Sequence, residues 1–366
     1  MRTFARVALL IEPVGGHWRI TRVIPAIVPI VAMAFWGWVP AQATLRSRPA
    51  RTHLIIGVST HIFATKGAWG ERLDAIQALG ATSFRVDAQW RYVERQAGHM
   101  TIPVRWDRII RAADRVGIRP LIILDYGNPF YGDSQKPTAT ATVAAFVRYV
   151  KFVTRQLRGR VLGYEIWNEW EGTAGHTRPG TPANYMRIVK QVAPVIRKND
   201  PKALILGGAV TSRGIRGDFL SRLMKLGLLH YVDGVSIHPY IHCRHDSTVK
   251  AWGDWLTSVE QRLSRIVGTR VPLYITEIGW PTSIGKCGVS ESQQAARASG
   301  VIRVSRSLPF VRGVWWYDLV DDGSNPFNRE DRFGLLRSDL KPKPAYTAFK
   351  AAVAGTASVS LTSNHR

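Results

Sequence analysis

Residues 161–170 read VLGYEIWNEW. A short apolar and aromatic run passes straight into a polar end, Asn168-Glu169-Trp170, which is how a buried strand looks when its last residues leave the core. A little further on, Pro182 to Arg197 carries apolar residues at helical spacing. The same couplet repeats outward in both directions. Upstream runs are Leu54 to Val58, Ser83 to Val86 and Pro120 to Leu124; downstream runs are Ala203 to Gly207, Gly234 to Ile237, Leu273 to Thr276 and Gly313 to Tyr317. Between and after them lie amphipathic stretches: Trp69 to Leu79, Trp106 to Val116, Thr140 to Leu157, Phe219 to Leu226, Trp252 to Val267, Glu291 to Ser307 and Ala345 to Val353. Eight strand-helix couplets without a second composition regime predict an α/β chain folded as a single (β/α)8 TIM barrel rather than an open doubly wound sheet. No G-x-G-x-x-G follows the first run, so a dinucleotide fold has no support.

The 366 residues exceed the roughly 250 that one barrel needs. At 45% hydrophobic and 10% aromatic the chain has the material for a large core, which excludes a disordered protein. Residues 1–43 read as an export segment. Arg2, Arg6, Arg19 and Arg22 precede the apolar run Val23 to Val39, and Ala41-Gln42-Ala43 supplies a small-residue cleavage pattern. The expected organisation is a signal peptide over 1–43, a catalytic barrel over 44–355 and a flexible tail over 356–366, the mature protein being periplasmic or secreted and monomeric. The alternative is an uncleaved anchor, since the 17 residues from Val23 to Val39 approach a membrane span; only then would the membrane be a partner.

The formal charge is +24, and loss of 1–43 takes away four Arg and one Glu, leaving +21. Such a field suits a polyanion, an acidic polysaccharide among them. The 12 Lys and 38 Arg are spread along the whole chain. No basic tail or aromatic-interleaved cluster argues for nucleic acid. A generally Arg-rich composition accounts for the charge equally well.

In a barrel the chemistry comes from the C-terminal ends of the strands. Those ends read Arg85-Val86-Asp87 on the second, Asp125-Tyr126-Gly127-Asn128 on the third and Glu165-Ile166-Trp167-Asn168-Glu169 on the fourth. They read His238-Pro239-Tyr240 on the sixth, Thr276-Glu277-Ile278-Gly279-Trp280 on the seventh and Trp315-Trp316-Tyr317-Asp318 on the eighth. Two carboxylates, Glu169 and Glu277, face each other over the mouth. Double-displacement cleavage of a glycoside needs such a pair, one protonated and one ionised, about 5 to 5.5 Å apart. Their mutual repulsion and local desolvation would keep the acid protonated, and Arg85 would keep the nucleophile charged. Glu165 lies four residues before Glu169, deeper in the strand, and reads as a buried or outward-facing polar group.

Trp167-Asn168-Glu169 followed 108 residues later by Thr276-Glu277-Ile278-Gly279-Trp280 resembles glycoside hydrolase clan A. Within that clan the chain looks like family 39 and the related endoglycosidases of bacterial exopolysaccharide operons, over about residues 53 to 350 and including His238-Pro239-Tyr240. The resemblance implies a retaining O-glycosyl hydrolase with Glu169 as acid/base and Glu277 as nucleophile. It also implies that Asn168 binds the sugar 2-hydroxyl, that Arg85 and Tyr240 hold the nucleophile's charge, and that His238 lines the same pocket. The expected partner is an oligosaccharide or polysaccharide; no cofactor is called for. An exo-acting β-xylosidase-like enzyme and a non-catalytic glycan-binding barrel in polysaccharide export are the competing readings.

Six tryptophans, Trp90, Trp167, Trp170, Trp280, Trp315 and Trp316, cluster at the strand ends. At least half are expected in the core, and Trp315 or Trp316 is the preferred platform for the cleaved sugar. Asp125, Tyr126 and Asn128 are weaker candidates for outer sugar contacts. Cys243 and Cys287 belong to the loops leaving the sixth and seventh strands and, in an oxidising compartment, are expected to pair. That bridge would add roughly 4 kcal/mol on the chain-entropy model. The run His238, His242, Cys243, His245 and Asp246 has no standard zinc spacing. Asp321-Asp322-Gly323 lacks the rest of a calcium loop, so no metal is expected.

Overall fold

A computed structural model describes residues 9–14, 17–22, 54–65, 67 and 69–355. Within the first 46 residues, which form a unit of their own, Leu9–Val14 and His17–Arg22 pair as an antiparallel hairpin. The apolar run from Val23, the Ala41–Ala43 pattern and the 356–366 tail lie outside the described residues. No helix among the described residues is long and apolar enough to cross a membrane.

The second unit is a closed barrel of eight parallel strands in chain order. The strands are β1 (Ile55–Ser59), β2 (Ser83–Asp87), β3 (Arg119–Leu124), β4 (Gly163–Ile166), β5 (Leu204–Thr211), β6 (Gly234–His238), β7 (Leu273–Ile278) and β8 (Val311–Trp316). β8 closes on β1 with Gly313 opposite Ile55 and Trp316 opposite Val58. Eight helices cover the outside: α1 (Trp69–Ala78), α2 (Val104–Arg115), α3 (Thr140–Gln156), α4 (Pro182–Asn199), α5 (Phe219–Lys225), α6 (Val249–Val267), α7 (Glu291–Ser307) and α8 (Pro344–Ala354). Each predicted strand and helix is present, with ends moved by a few residues.

Helix starts follow from local chemistry. Thr181 and Thr248 cap α4 and α6 by accepting from the Asn184 and Ala251 amides, and Pro182 pre-sets the first turn of α4. Ser290 and Gln293 form a capping box at the head of α7. The larger apolar cluster lies between strands and helices. A smaller one fills the lumen with Ile55, Leu121, Leu204, Leu206, Tyr274 and Trp315, drawn from β1, β3, β5, β7 and β8. Trp315 lies across that lumen with its indole N–H donating to Ser83 Oγ at 3.1 Å, against Gly57, where a Cβ would meet the Trp315 ring at 2.3 Å. Glycine at position 57 is what admits the ring. The barrel is therefore solid below its mouth, and a substrate meets it from the C-terminal face alone.

Candidate active site

Strand alternation brings Glu165 into the lumen of β4, but it does not continue to Glu169. Trp167 (φ 65°) and Glu169 (φ 48°) both adopt left-handed backbone, a conformation that costs a non-glycine residue roughly 1–2 kcal/mol. Three contacts hold the distortion: the Trp167 amide donates to Leu124 O, the Glu169 amide to Ala209 O, and the Gly172 amide to Glu169 O. The buried Trp167 and Trp170 rings meet edge-on at 5.0 Å and lock the segment. The break in alternation turns the consecutive residues Asn168 and Glu169 into one cleft.

Below that cleft Arg85, on β2 and 3% exposed, uses every edge of its guanidinium. Nε donates to Glu165 at 2.6 Å, Nη1 to Glu277 at 2.6 Å and Nη2 to Asn168 Oδ1 at 2.9 Å. Nη2 also lies 3.4 Å from His238 Nε2. A guanidinium can only donate, so His238 presents a lone pair at Nε2 and keeps its proton on Nδ1. That Nδ1 stands 2.9 Å from Glu169 Oε1 and 3.6 Å from a Glu277 oxygen. Tyr240 donates to the other side of Glu277 at 2.9 Å.

These contacts set the charges. Burial alone would raise the Glu277 carboxyl, but His238, Arg85 and the Tyr240 hydroxyl outweigh it and hold the group below its ordinary value. Burial would likewise lower His238; the Glu277 charge and the Glu169 contact more than offset it and raise the imidazole.

The decisive spacing is that an oxygen of Glu169, a nitrogen of His238 and an oxygen of Glu277 all lie within 4.8 Å of one another. This is the range of retaining glycosidases, well short of the roughly 6.5–9.5 Å that an inverting pair needs for its water. The two carboxylates open into a cleft of about 410 Å³. Its walls include His61, Asp87, Tyr126, Asn168, Tyr240 and Tyr317.

The family model described as cellulase (glycosyl hydrolase family 5) matches residues 47–316. The chain belongs to that family. Among solved structures the hydrolase is similar to a family 39 glycoside hydrolase from the gut symbiont Bacteroides cellulosilyticus WH2, with a TM-score of 0.69 and 23% identity over 92% of this chain and 67% of that one. It is also similar to GH5_18 from Streptomyces cattleya in complex with GlcNAc, with a TM-score of 0.67 and 18% identity over 82% and 80%. A GH39 β-xylosidase from Caulobacter crescentus gives a TM-score of 0.62 and 18% identity over 83% and 72%. At these identities the likeness is one of fold, and it agrees with the clan A resemblance carried by the two motifs. None of the curated proteins matches the chain.

Arg85, Asn168, Glu169, His238, Tyr240 and Glu277 thus come together in the hydrolase, with His238 wholly buried behind the carboxylates rather than on the cleft surface. Three expected sugar contacts do not reach it. Trp315 is the plug of the lumen, and Trp316, one residue on and facing the other way, stacks on Trp280 at 6.1 Å in the helix layer. Both are fully buried, as are the other four tryptophans of the cluster. Asn128 is also buried, its amide donating to Glu94 O at 2.8 Å and its carbonyl accepting from the Phe130 amide at 3.0 Å, so it shapes a turn. Asp125 lies wholly inside, whereas Tyr126 does line the cleft.

The aromatic wall comes instead from Tyr317, Phe333 and Tyr240, whose rings meet edge-on at 5.4 to 6.4 Å. Once Trp315 is seen to face inward, alternation makes residue 317 the next inward side chain, one layer nearer the mouth; the sequence by itself leaves open which of residues 315 and 316 points in. Phe333 and His61 sit on loops and carry no periodic signal.

Cys243 and Cys287 are joined in a disulfide with Cα atoms 4.5 Å apart. Cys243 is thereby spent as a metal ligand, and the neighbouring histidines do not gather around it. His61 Nε2 lies 3.5 Å from both Asp318 and Asp322, a spacing a metal could also bridge. Burial works against the imidazolium, but the hydrogen bond to Asp322 and the charges of the two aspartates raise His61 above its usual value.

Proposed function

We propose that the hydrolase cleaves β-linked O-glycosidic bonds with retention, by double displacement through Glu277 and Glu169, within a bacterial extracellular or capsular polysaccharide. The spacing of the two carboxylates carries this reading. Glu277, kept ionised by Arg85, His238 and Tyr240, bonds to the anomeric carbon while Glu169 passes its proton to the departing oxygen. Water then gives a proton back to Glu169 and its oxygen to the anomeric carbon, releasing Glu277. Asn168 spends its oxygen on Arg85 and one N–H on the Tyr126 hydroxyl at 3.0 Å, which leaves its second N–H for a sugar hydroxyl. Tyr317 offers the face for the cleaved sugar.

The disulfide supports an oxidising compartment, hence a periplasmic or secreted enzyme. Proton NMR of the first-formed product tests the chemistry: the new reducing end should appear in the configuration of the original bond, and inversion would overturn the assignment. A second reading, exo-acting removal of single sugars, is favoured by the GH39 β-xylosidase and by the exo-β-1,4-mannosidase from Opitutaceae bacterium strain TAV5 among the structural neighbours. Release of monosaccharide alone from a long polymer would establish it in place of internal cleavage.

A further inference from the structure

A second cavity, of about 290 Å³, adjoins the cleft at Tyr240 and His242, which line both. Its walls carry Arg213 and Arg216, on the short helix Ser212–Arg216 after β5, and Arg244, on the loop after β6. We propose that this groove binds a carboxylate-bearing sugar of the substrate chain, on the leaving-group side of the bond that is cut. The proposal rests on the glycosidase reading above and names the class of polymer it acts on.

With 50 basic against 26 acidic residues, arginines without partners are inevitable somewhere on this chain. Here, though, three of them line one cavity that begins a single side chain from the nucleophile, since Tyr240 both walls the groove and bonds Glu277. Among the described residues none of the three is salt-bridged to a carboxylate. Of the nearby acids, Asp246 accepts from Thr248 at 2.8 Å and also feels the Arg244 charge, and one oxygen of Glu171 accepts from the Thr211 amide at 2.6 Å. Arg216 rests over the Trp255 ring at 5.5 Å. Partial burial first, and the like charge of Arg244 second, lower its pKa, a repulsion that a bound anion would relieve.

Both segments that hold the arginines are fixed in place. Ser212 Oγ donates to Tyr240 O at 2.6 Å and to His238 O at 3.1 Å, and Arg262 of α6 donates to Ile215 O. The disulfide ties the Arg244 loop to the loop after β7. Rigid guanidinium forks suit carboxylates, which they engage through paired hydrogen bonds. The side of the bond follows from the acid. Glu169 protonates the departing oxygen from the end of β4, and the groove lies at the ends of β5 and β6 next to it, so it is assigned to the departing chain.

The test compares two triple variants with wild type. One is Arg213→Gln/Arg216→Gln/Arg244→Gln. The other, Arg108→Gln/Arg155→Gln/Arg158→Gln, removes the same charge from exposed positions on and just after α2 and α3. Binding of hyaluronan, alginate and glucuronoxylan is measured by calorimetry at moderate salt, each beside its carboxyl-reduced form, with dextran sulfate as the anion control. The expected result is a loss of about tenfold or more for the groove variant on at least one uronate polymer, with no loss on its reduced form and little for the control variant. Equal losses in both variants, or no loss in either, would overturn the groove; a groove-specific loss on dextran sulfate alone would overturn the carboxylate. Because binding is read without turnover, this outcome is independent of whether Glu277→Ala abolishes hydrolysis.

Discussion

Glu277 receives Arg85 at 2.6 Å and Tyr240 at 2.9 Å, has His238 at 3.6 Å, and keeps 11% of its side chain exposed. Glu169 is more open, at 24%, and meets one polar side chain, His238. One carboxylate is gripped on both oxygens by groups that favour its negative form, and the other has a single polar neighbour and a more open face. On the proposed mechanism the same amino acid thus receives two roles from its surroundings, those of an acid and a nucleophile working side by side.

The hardest blow to this contrast is Glu277→Ala. Turnover should fall by at least about 10⁴-fold, as for loss of a nucleophile elsewhere, and added azide should restore it as a glycosyl azide of inverted configuration. An azide product of retained configuration would exchange the two roles. Glu169→Gln should cost about 10² to 10⁴ on a natural glycoside. It should cost far less on a dinitrophenyl glycoside, whose leaving group needs no proton; equal losses on both would deny Glu169 its acid role. Tyr240→Phe removes a donor that favours the Glu277 carboxylate. In wild type kcat/KM falls as pH drops through a Glu277 value held below the usual carboxylate range, and the variant's acid limb should move upward, by about one unit or less. An unmoved limb would show that the grip of Tyr240 on Glu277 is not electrostatic.

The smallest effect concerns a carboxyl outside the pair. Asp125 is fully buried, neither of its oxygens meets a donor, and it faces Asp87, Glu165 and Arg85 with the Tyr126 and Tyr149 hydroxyls nearby. Burial, then Asp87, raise it well above its ordinary value. The folded protein therefore keeps this proton where the unfolded chain loses it, and stability falls as pH climbs from about 4 toward the raised value. Asp125→Asn lacks that penalty, so its melting temperature relative to wild type should climb over the same interval. A difference that stays flat with pH would mean that Asp125 is ionised.

The barrel and the strand-end placing of both glutamates were legible because they rest on short-range rules: short apolar runs, helical stripes, and polar residues at strand ends. Depth was not legible. Trp315, Trp316 and Asn128 all stand at strand ends, and the letters alone do not say that one plugs the lumen, one faces the helices and one closes a turn. Trp315 against Gly57 is a contact between residues 258 positions apart, set by closure of β8 on β1. The distortion at Trp167 and Glu169 was equally hidden, since it is imposed by β3 and β5 through backbone hydrogen bonds that no local pattern encodes.

The stopper that Trp315 makes also governs traffic. With no passage downward, a long glycan cannot thread through the enzyme and must be draped over the rim, entering and leaving sideways. Both fragments then retreat along the path they came by, and the one still held at the arginines would be the slower to depart.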